Sequence, residues 1–74
     1  MPHITVKCYK GRSREELQEI AEKIAESTAK AFGLNKTSVS VSIQEIDKEN
    51  WSEVYRNEIY GDKENLFIEP GYKL

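Results

Sequence analysis

The chain begins with a short segment in which apolar and polar residues alternate, and a second such segment lies near its middle. In residues 4–9 the apolar side is formed by Ile4, Val6 and Cys8, and residues 39–44 repeat the pattern. Alternation with a period of two is typical of a β-strand with one apolar face. The sequence therefore predicts one strand in each segment.

The segment between these strands predicts one long helix. Its apolar residues recur every three or four positions, which gives a single apolar stripe along about five helical turns. The stripe consists of Leu17, Ile20, Ala21, Ile24, Thr28, Ala31 and Phe32. Ser13 and Glu16 match a capping box at the start of the helix. Gly33 can adopt the left-handed conformation that ends a helix.

A second, shorter helix is predicted after the polar connection at residues 47–50. Its apolar residues again recur at helical spacing, and they are Trp51, Val54, Tyr55 and Ile59. Gly61 is expected to stop this helix. The tail at residues 66–72 is apolar but contains Pro70 and Gly71, so we expect it to be irregular.

The order strand, long helix, strand predicts a right-handed crossover between two parallel strands. We therefore expect an α/β fold in which residues 1–74 form a single domain: a β-α-β unit with two parallel strands, one long helix and a short second helix. One long helix covers only one face of the sheet, whereas parallel strands are nearly always buried on both faces. Oligomerisation is expected to complete the sheet.

The length of the chain supports the same conclusion. Chains below roughly 70–80 residues usually need a disulfide, a metal or a partner subunit to be stable. Cys8 is the only cysteine and His3 the only histidine among the 74 residues. An intrachain disulfide is therefore impossible, and a structural zinc site lacks its ligands. A partner subunit is the remaining source of stability.

Charge and hydropathy restrict the partners. The net charge of −2 argues against nucleic acid, whose binding depends on neutralising phosphates with Lys and Arg. No apolar run approaches the roughly 18 residues of a transmembrane helix. The first residues lack the charged start and apolar core of a secretory signal. We expect a cytoplasmic protein with no nucleic-acid or membrane partner.

Pro2 is the first candidate for chemistry. It follows the initiator Met1, which cellular aminopeptidases generally remove before a small residue. The freed secondary amine is a stronger base than an ordinary α-amino group, whose pKa is about 7.7–8.0. Burial in an apolar pocket would lower its pKa toward neutrality, where an amine is a good general base. Because proline is a common residue, a purely structural Pro2 is the alternative interpretation.

Arg12 and Trp51 are candidates for binding a substrate. Arg12 precedes the long helix, where free N–H groups and the helix dipole favour anions, and its guanidinium could bind a carboxylate. The alternative is a solvated loop arginine. Trp51 could form the wall of an apolar pocket, or it could pack in the core or an interface. We expect His3 to be an exposed strand residue and Cys8 a small buried apolar residue.

Several short motifs occur in a fixed order along the chain. They are Pro2 after the initiator Met, Gly11-Arg12-Ser13 before the long helix, Thr37-Ser38-Val39 before the second strand, then Val41, Ile43, Glu45 and Trp51. In this order and spacing they resemble the 4-oxalocrotonate tautomerase family over essentially the whole chain. Three segments are most similar to the bacterial phenylpyruvate-active branch: His3-Ile4, the helix starting at Trp51, and Pro70-Gly71-Tyr72.

The resemblance implies a tautomerase-type β-α-β subunit that pairs with another across its sheet. It also implies enol–keto tautomerisation of small-molecule 2-oxo acids without a metal or cofactor. Carried over by position, Pro2 is the base that moves the proton and Arg12 binds the substrate carboxylate. Trp51 takes the place of the aromatic residue in the pocket.

Ser40 departs from the family pattern, since hexameric members carry a second arginine at this position. A neutral hydroxyl cannot replace a guanidinium as a carboxylate clamp. We therefore expect Ser40 to contact an aromatic or apolar monoacid, such as phenylenolpyruvate, rather than the diacid typical of the family. The tail is longer than in the shortest family members. In the branch that this chain resembles, such additions go with a homodimer rather than a hexamer. Two alternatives stay open: a Pro2-dependent hydratase or dehalogenase of the same superfamily, and a non-catalytic dimeric module.

Overall fold

The computed structural model describes all residues from 1 to 74, and it has the predicted order of elements. Strand β1 is followed by the long helix α1, strand β2 and the short helix α2, which continues into one π-helical segment. Single turns of 3₁₀ helix precede β2, precede α2 and interrupt the tail. The bounds are β1 His3–Tyr9, α1 Arg14–Phe32, β2 Ser40–Ile46, α2 Trp51–Val54, the π-helical segment Tyr55–Ile59, and the 3₁₀ turns Lys36–Ser38, Lys48–Asn50 and Lys63–Asn65.

The two strands form a parallel sheet, which confirms the β-α-β fold. Their register pairs His3 with Ser40 at the edge where both strands begin, and Tyr9 with Ile46 at the edge where both strands end. Because side chains alternate along a strand, one face of the sheet is apolar and lies under α1. The other face carries mostly polar side chains, and α2 and the π-helical segment reach only part of it. The sheet is not closed within one chain.

Helix α1 begins and ends at the predicted residues. The Ser13 hydroxyl accepts a hydrogen bond from the Glu16 backbone N–H at 3.1 Å, and the Glu16 carboxylate accepts one from the Ser13 backbone N–H at 2.9 Å. This bond to the Ser13 backbone is the main reason why the pKa of Glu16 lies below its usual value. Gly33 ends the helix with a φ of 67°. These caps fix where α1 begins and where it ends.

The apolar stripe of α1 differs from the prediction at its C-terminal end. Ala25 and Ala29 are the buried residues of the helix, whereas Phe32 is 64% exposed. A helix of 19 residues is about 28 Å long, and a strand of seven residues is about 20 Å long. The last turn of α1 therefore extends beyond the sheet, so Phe32 has no strand residue to pack against.

The short second helix lies where the sequence predicts it, and Val54 is its buried residue. The π-helical segment that continues it ends at Ile59, and Gly61 forms the tight turn just beyond it. A Cβ atom at this position would lie 2.2 Å from the backbone oxygen of Asn57. Only glycine allows the backbone to approach the preceding turn so closely. The tail beyond it has one 3₁₀ turn and no strand, as expected from its Pro and Gly residues.

The hydrophobic core of one chain is very small. Only Ala25, Ala29 and Val54 are buried among the 74 residues. Large apolar side chains remain exposed, including Phe67 at 92% and Ile68 at 87%. None of the helices combines the length and apolarity that crossing a bilayer requires. A single chain thus buries too little apolar surface to offset the entropy lost on folding.

We therefore expect a dimer or larger assembly and no folded monomer at micromolar concentration. The reason is the small core together with the partly uncovered polar face of the sheet. Sedimentation velocity combined with circular dichroism is the measurement. A helical species of 8.6 kDa would contradict the prediction.

Candidate active site

Pro2 lies at the edge of the sheet where both strands begin. Its carbonyl oxygen accepts a hydrogen bond from the Ser40 backbone N–H at 3.2 Å, which fixes it beside the start of β2. Pro2 is half-buried, while Met1 projects fully into solvent. As long as Met1 is attached, the Pro2 nitrogen is an amide without a basic lone pair. Removal of Met1 converts the same nitrogen into an amine held at a defined place on the sheet.

Ser40 and His3 lie beside Pro2 and contact each other. They are register partners in the sheet, and His3 Nδ1 lies 2.7 Å from the Ser40 hydroxyl oxygen. Both side chains are exposed on the sheet face opposite α1. The sequence predicts only that His3 is an exposed strand residue, although its position next to Pro2 places it at this edge. Period-two alternation does not reveal which residue of the other strand it faces.

Trp51 lies at the opposite edge of the sheet, where both strands end. Its ring meets the Tyr9 ring edge to face, with the centroids 5.3 Å apart. The indole N–H donates a hydrogen bond to the Tyr72 hydroxyl at 2.9 Å, and Tyr72 also packs against Tyr55 at 5.8 Å. The tail thus folds back onto the start of α2. These partners of Trp51 come from β1 and the tail, so local sequence gives no signal for them.

Arg12 lies near this second edge, three residues after the end of β1. Gly11 provides a φ of 130° that lets the chain turn there, and Ser13 starts α1 immediately afterwards. Arg12 is exposed and takes part in none of the three ion pairs of the chain. Its guanidinium is therefore available to an anionic ligand at the N-terminus of α1.

The four site residues predicted from the sequence thus form two pairs at opposite edges of the sheet. Pro2 and Ser40 lie at the edge where the strands begin, and Arg12 and Trp51 lie near the edge where they end. A seven-residue strand separates the two edges by about 20 Å. The two ends of the strands are therefore farther apart than a small carboxylic acid is long.

One groove of the single chain lies away from the four candidate residues. A groove of about 490 Å³ runs between α1 and β2, and it is lined mainly by apolar side chains of these two elements. None of the four candidate residues contributes to it. The chain also has no group of three or more His, Cys, Asp or Glu side chains placed to hold a metal ion.

Most of the chain matches a known protein family. The family described as "Tautomerase enzyme" matches residues 2–52, about two thirds of the chain. The chain belongs to the tautomerase family. The matched segment contains Pro2, Arg12, Ser40 and Trp51, and only the tail and most of the second helix lie beyond it.

Individual relatives agree with this assignment. A Xylella fastidiosa protein named "Probable tautomerase" is 37% identical over 73 residues, covering 97% of this chain and 89% of the relative. "Tautomerase PptA" of Escherichia coli is 33% identical over 76 residues and covers both chains fully. A solved structure from methicillin-resistant Staphylococcus aureus, of a protein assigned as a 4-oxalocrotonate tautomerase, is 30% identical. It matches with a TM-score of 0.59 over 62% of this chain and 74% of that one. Tautomerases are isomerases, so this tautomerase is an enzyme of that class.

Proposed function

We propose that this tautomerase interconverts the enol and keto forms of apolar 2-oxo monoacids, with Pro2 as the general base, at a site shared by two subunits. The observation that carries the proposal is the separation of Pro2 and Ser40 from Arg12 and Trp51. A second subunit that brings the edge with its own Arg12 and Trp51 next to Pro2 would assemble one complete site. Two copies of the chain related by a twofold axis would form two such sites.

The proton transfer needs only one group that first accepts and then donates. The Pro2 amine takes the proton of the enol hydroxyl, and the oxygen forms the carbonyl double bond. The electron pair of the carbon–carbon double bond then takes the same proton from the Pro2 ammonium. No net charge is created, and Pro2 returns to its starting state.

The position of Pro2 suits this role. The residue is half-buried and anchored through its carbonyl to Ser40, so its nitrogen is held rather than free to sample solvent. When a second subunit and a substrate cover this edge, desolvation favours the neutral amine over the ammonium. A neutral amine at the working pH is the form that can accept a proton.

Arg12 and Trp51 would supply recognition from the second subunit. The unpaired guanidinium of Arg12 can donate two hydrogen bonds to the substrate carboxylate, and the N-terminus of α1 adds a favourable dipole. Trp51 and Tyr9 form an aromatic wall against which an apolar substituent can pack. Ser40 offers a hydroxyl beside Pro2 and no positive charge.

The proposed assembly is based on the sheet and the tail, and the proposed location on the sequence. We propose a homodimer formed by the single domain of residues 1–74, because the partly uncovered sheet and the longer tail both favour pairing. The cytoplasm is the proposed compartment, as the sequence alone leads us to expect. A small-molecule 2-oxo acid is the proposed partner besides the second subunit.

Replacing Arg12 should mainly weaken substrate binding. We expect Arg12→Ala to raise KM for phenylenolpyruvate about tenfold to hundredfold, because hydrogen bonds between a charged group and a carboxylate contribute roughly 1.5–3 kcal/mol. Arg14→Ala is the matched control, since Arg14 is also exposed but lies inside the first turn of α1. Steady-state kinetics on the two variants is the measurement. Equal KM values would contradict the assigned role of Arg12.

A further inference from the structure

The sheet face opposite α1 carries a row of polar side chains that hydrogen-bond to one another. Ser42 Oγ donates to Thr5 Oγ1 at 3.3 Å, Thr5 Oγ1 lies 3.5 Å from His3 Nε2, and His3 Nδ1 lies 2.7 Å from Ser40 Oγ. The row crosses between the strands and ends at Ser40, whose backbone N–H is bonded to Pro2. It thus ends at a residue whose backbone is hydrogen-bonded to the carbonyl oxygen of Pro2.

One direction of these hydrogen bonds leaves Ser40 free to donate. The Thr5 hydroxyl can accept the Ser42 proton and donate its own proton to His3 Nε2. A neutral imidazole that accepts at Nε2 carries its proton at Nδ1, and it donates that proton to the Ser40 oxygen. The Ser40 hydroxyl proton is then free to donate outward. The reverse tautomer would take up the Ser40 proton and leave no donor.

We propose that Ser40 donates its hydroxyl proton in a hydrogen bond to the 2-oxygen of the substrate and that His3 is the positioning residue that keeps this donor available. The inference rests on the proposed function, since it needs Pro2 to act on that oxygen. When the enol proton leaves for Pro2, negative charge develops on the 2-oxygen. A hydrogen-bond donor held beside that oxygen stabilises the charge where it forms.

This arrangement makes Ser40 a neutral hydrogen-bond donor, whereas the arginine found here in hexameric family members is a charged one. A serine hydroxyl can donate or accept, and it needs a partner that fixes which of the two it does. His3 is the side chain that contacts it, with 2.7 Å between His3 Nδ1 and Ser40 Oγ. The pair therefore acts as a neutral donor beside Pro2.

The first test measures the tautomer directly, without turnover. His3 is the only histidine, so the imidazole nitrogens of a ¹⁵N-labelled protein give the signals of one residue. Spectra of the intact oligomer with a free Pro2, recorded at about pH 9 so that an imidazole is neutral, should show the proton on Nδ1. A histidine side chain free in water carries it mainly on Nε2. A ring protonated on Nε2 in this protein would overturn the inference.

The second test separates positioning from structure by kinetics on phenylenolpyruvate. We expect Ser40→Ala to lower kcat roughly 10²-fold, as loss of one donor to a developing oxyanion does, with little change in KM. His3→Phe should lower kcat about tenfold. His3→Asn should stay within about threefold of wild type, because its amide can still donate toward Ser40. The double variant His3→Phe, Ser40→Ala should be no worse than Ser40→Ala alone.

The controls distinguish this inference from the proposed function. Gln44→Ala removes another exposed side chain of the same sheet face, away from the row, and should leave kcat unchanged. An active wild type whose kcat is unaffected by His3→Phe would overturn the role of His3 alone. A wild type whose turnover does not depend on a free Pro2 would instead overturn the proposed function itself. Additive losses in the double variant would show that His3 does not act through Ser40.

Discussion

Protein that retains a residue in front of Pro2 should catalyse enol–keto conversion about 10²–10⁴-fold more slowly than protein that begins with Pro2. An amide nitrogen shares its lone pair with the neighbouring carbonyl and cannot take a proton at neutral pH. Everything else in the chain, including Arg12 and Trp51, is unchanged. The difference therefore isolates the base from the rest of the site.

The comparison needs two preparations that differ only at the terminus. One begins with Pro2 after removal of Met1, and the other carries a lysine inserted between Met1 and Pro2. Intact mass defines each terminus, and sedimentation shows that both assemble alike. Pro2→Ala is less decisive, because its free terminus is a primary amine that can still act as a base. Equal kcat values for the two preparations would exclude Pro2 as the base.

Phenylenolpyruvate should be turned over with a kcat/KM at least about tenfold higher than that of 2-hydroxymuconate. The site offers one cationic anchor with a position suited to the substrate, Arg12, and a neutral hydroxyl at Ser40. A second carboxylate would be buried without a partner, at a cost of several kcal/mol. An aromatic ring can instead pack on Trp51 and Tyr9, which adds roughly 0.5–1.5 kcal/mol beyond burial. Steady-state kinetics on both substrates in one buffer decides the question.

Introducing a charge at Ser40 provides the converse experiment. Ser40→Arg should improve the diacid relative to the monoacid, because a guanidinium restores a second clamp. Gln44→Arg adds the same charge on the same strand face but farther from Pro2, and it should not change the ratio. If the wild type already favours the diacid by tenfold, another cation must reach the site. No change with Ser40→Arg would show that this strand position does not face the substrate.

The fold was predictable because its signals are local. Alternation marks the two strands, and the capping box at Ser13 and the glycine at Gly33 mark the ends of α1. The errors also have physical causes. Phe32 belongs to the apolar stripe by spacing but extends past the shorter strands, and Ala25 and Ala29 are buried because small side chains let the helix approach the sheet.

The site was only partly predictable, because its geometry depends on contacts between distant residues. Position along the chain indicates Pro2, Arg12 and Trp51 as candidates, but it does not show that two sheet edges separate them. The contact of His3 with Ser40 depends on the strand register, which alternation leaves undetermined. The hydrogen bond from Trp51 to Tyr72 depends on how the tail folds back.

The central claim is that each site combines Pro2 of one subunit with Arg12 and Trp51 of another, and mixed subunits test it most directly. At phenylenolpyruvate concentrations below the wild-type KM, subunits with a blocked Pro2 retain about 1% of wild-type activity or less, and subunits with Arg12→Ala about a tenth or less, when each assembles alone. The two variants are mixed in equal amounts, unfolded and refolded together. Half of the dimers are then hybrids, and one of the two sites in each hybrid is intact. We predict recovery of about one quarter of wild-type activity in the mixture. Activity no higher than the mean of the two separate preparations would contradict a shared site.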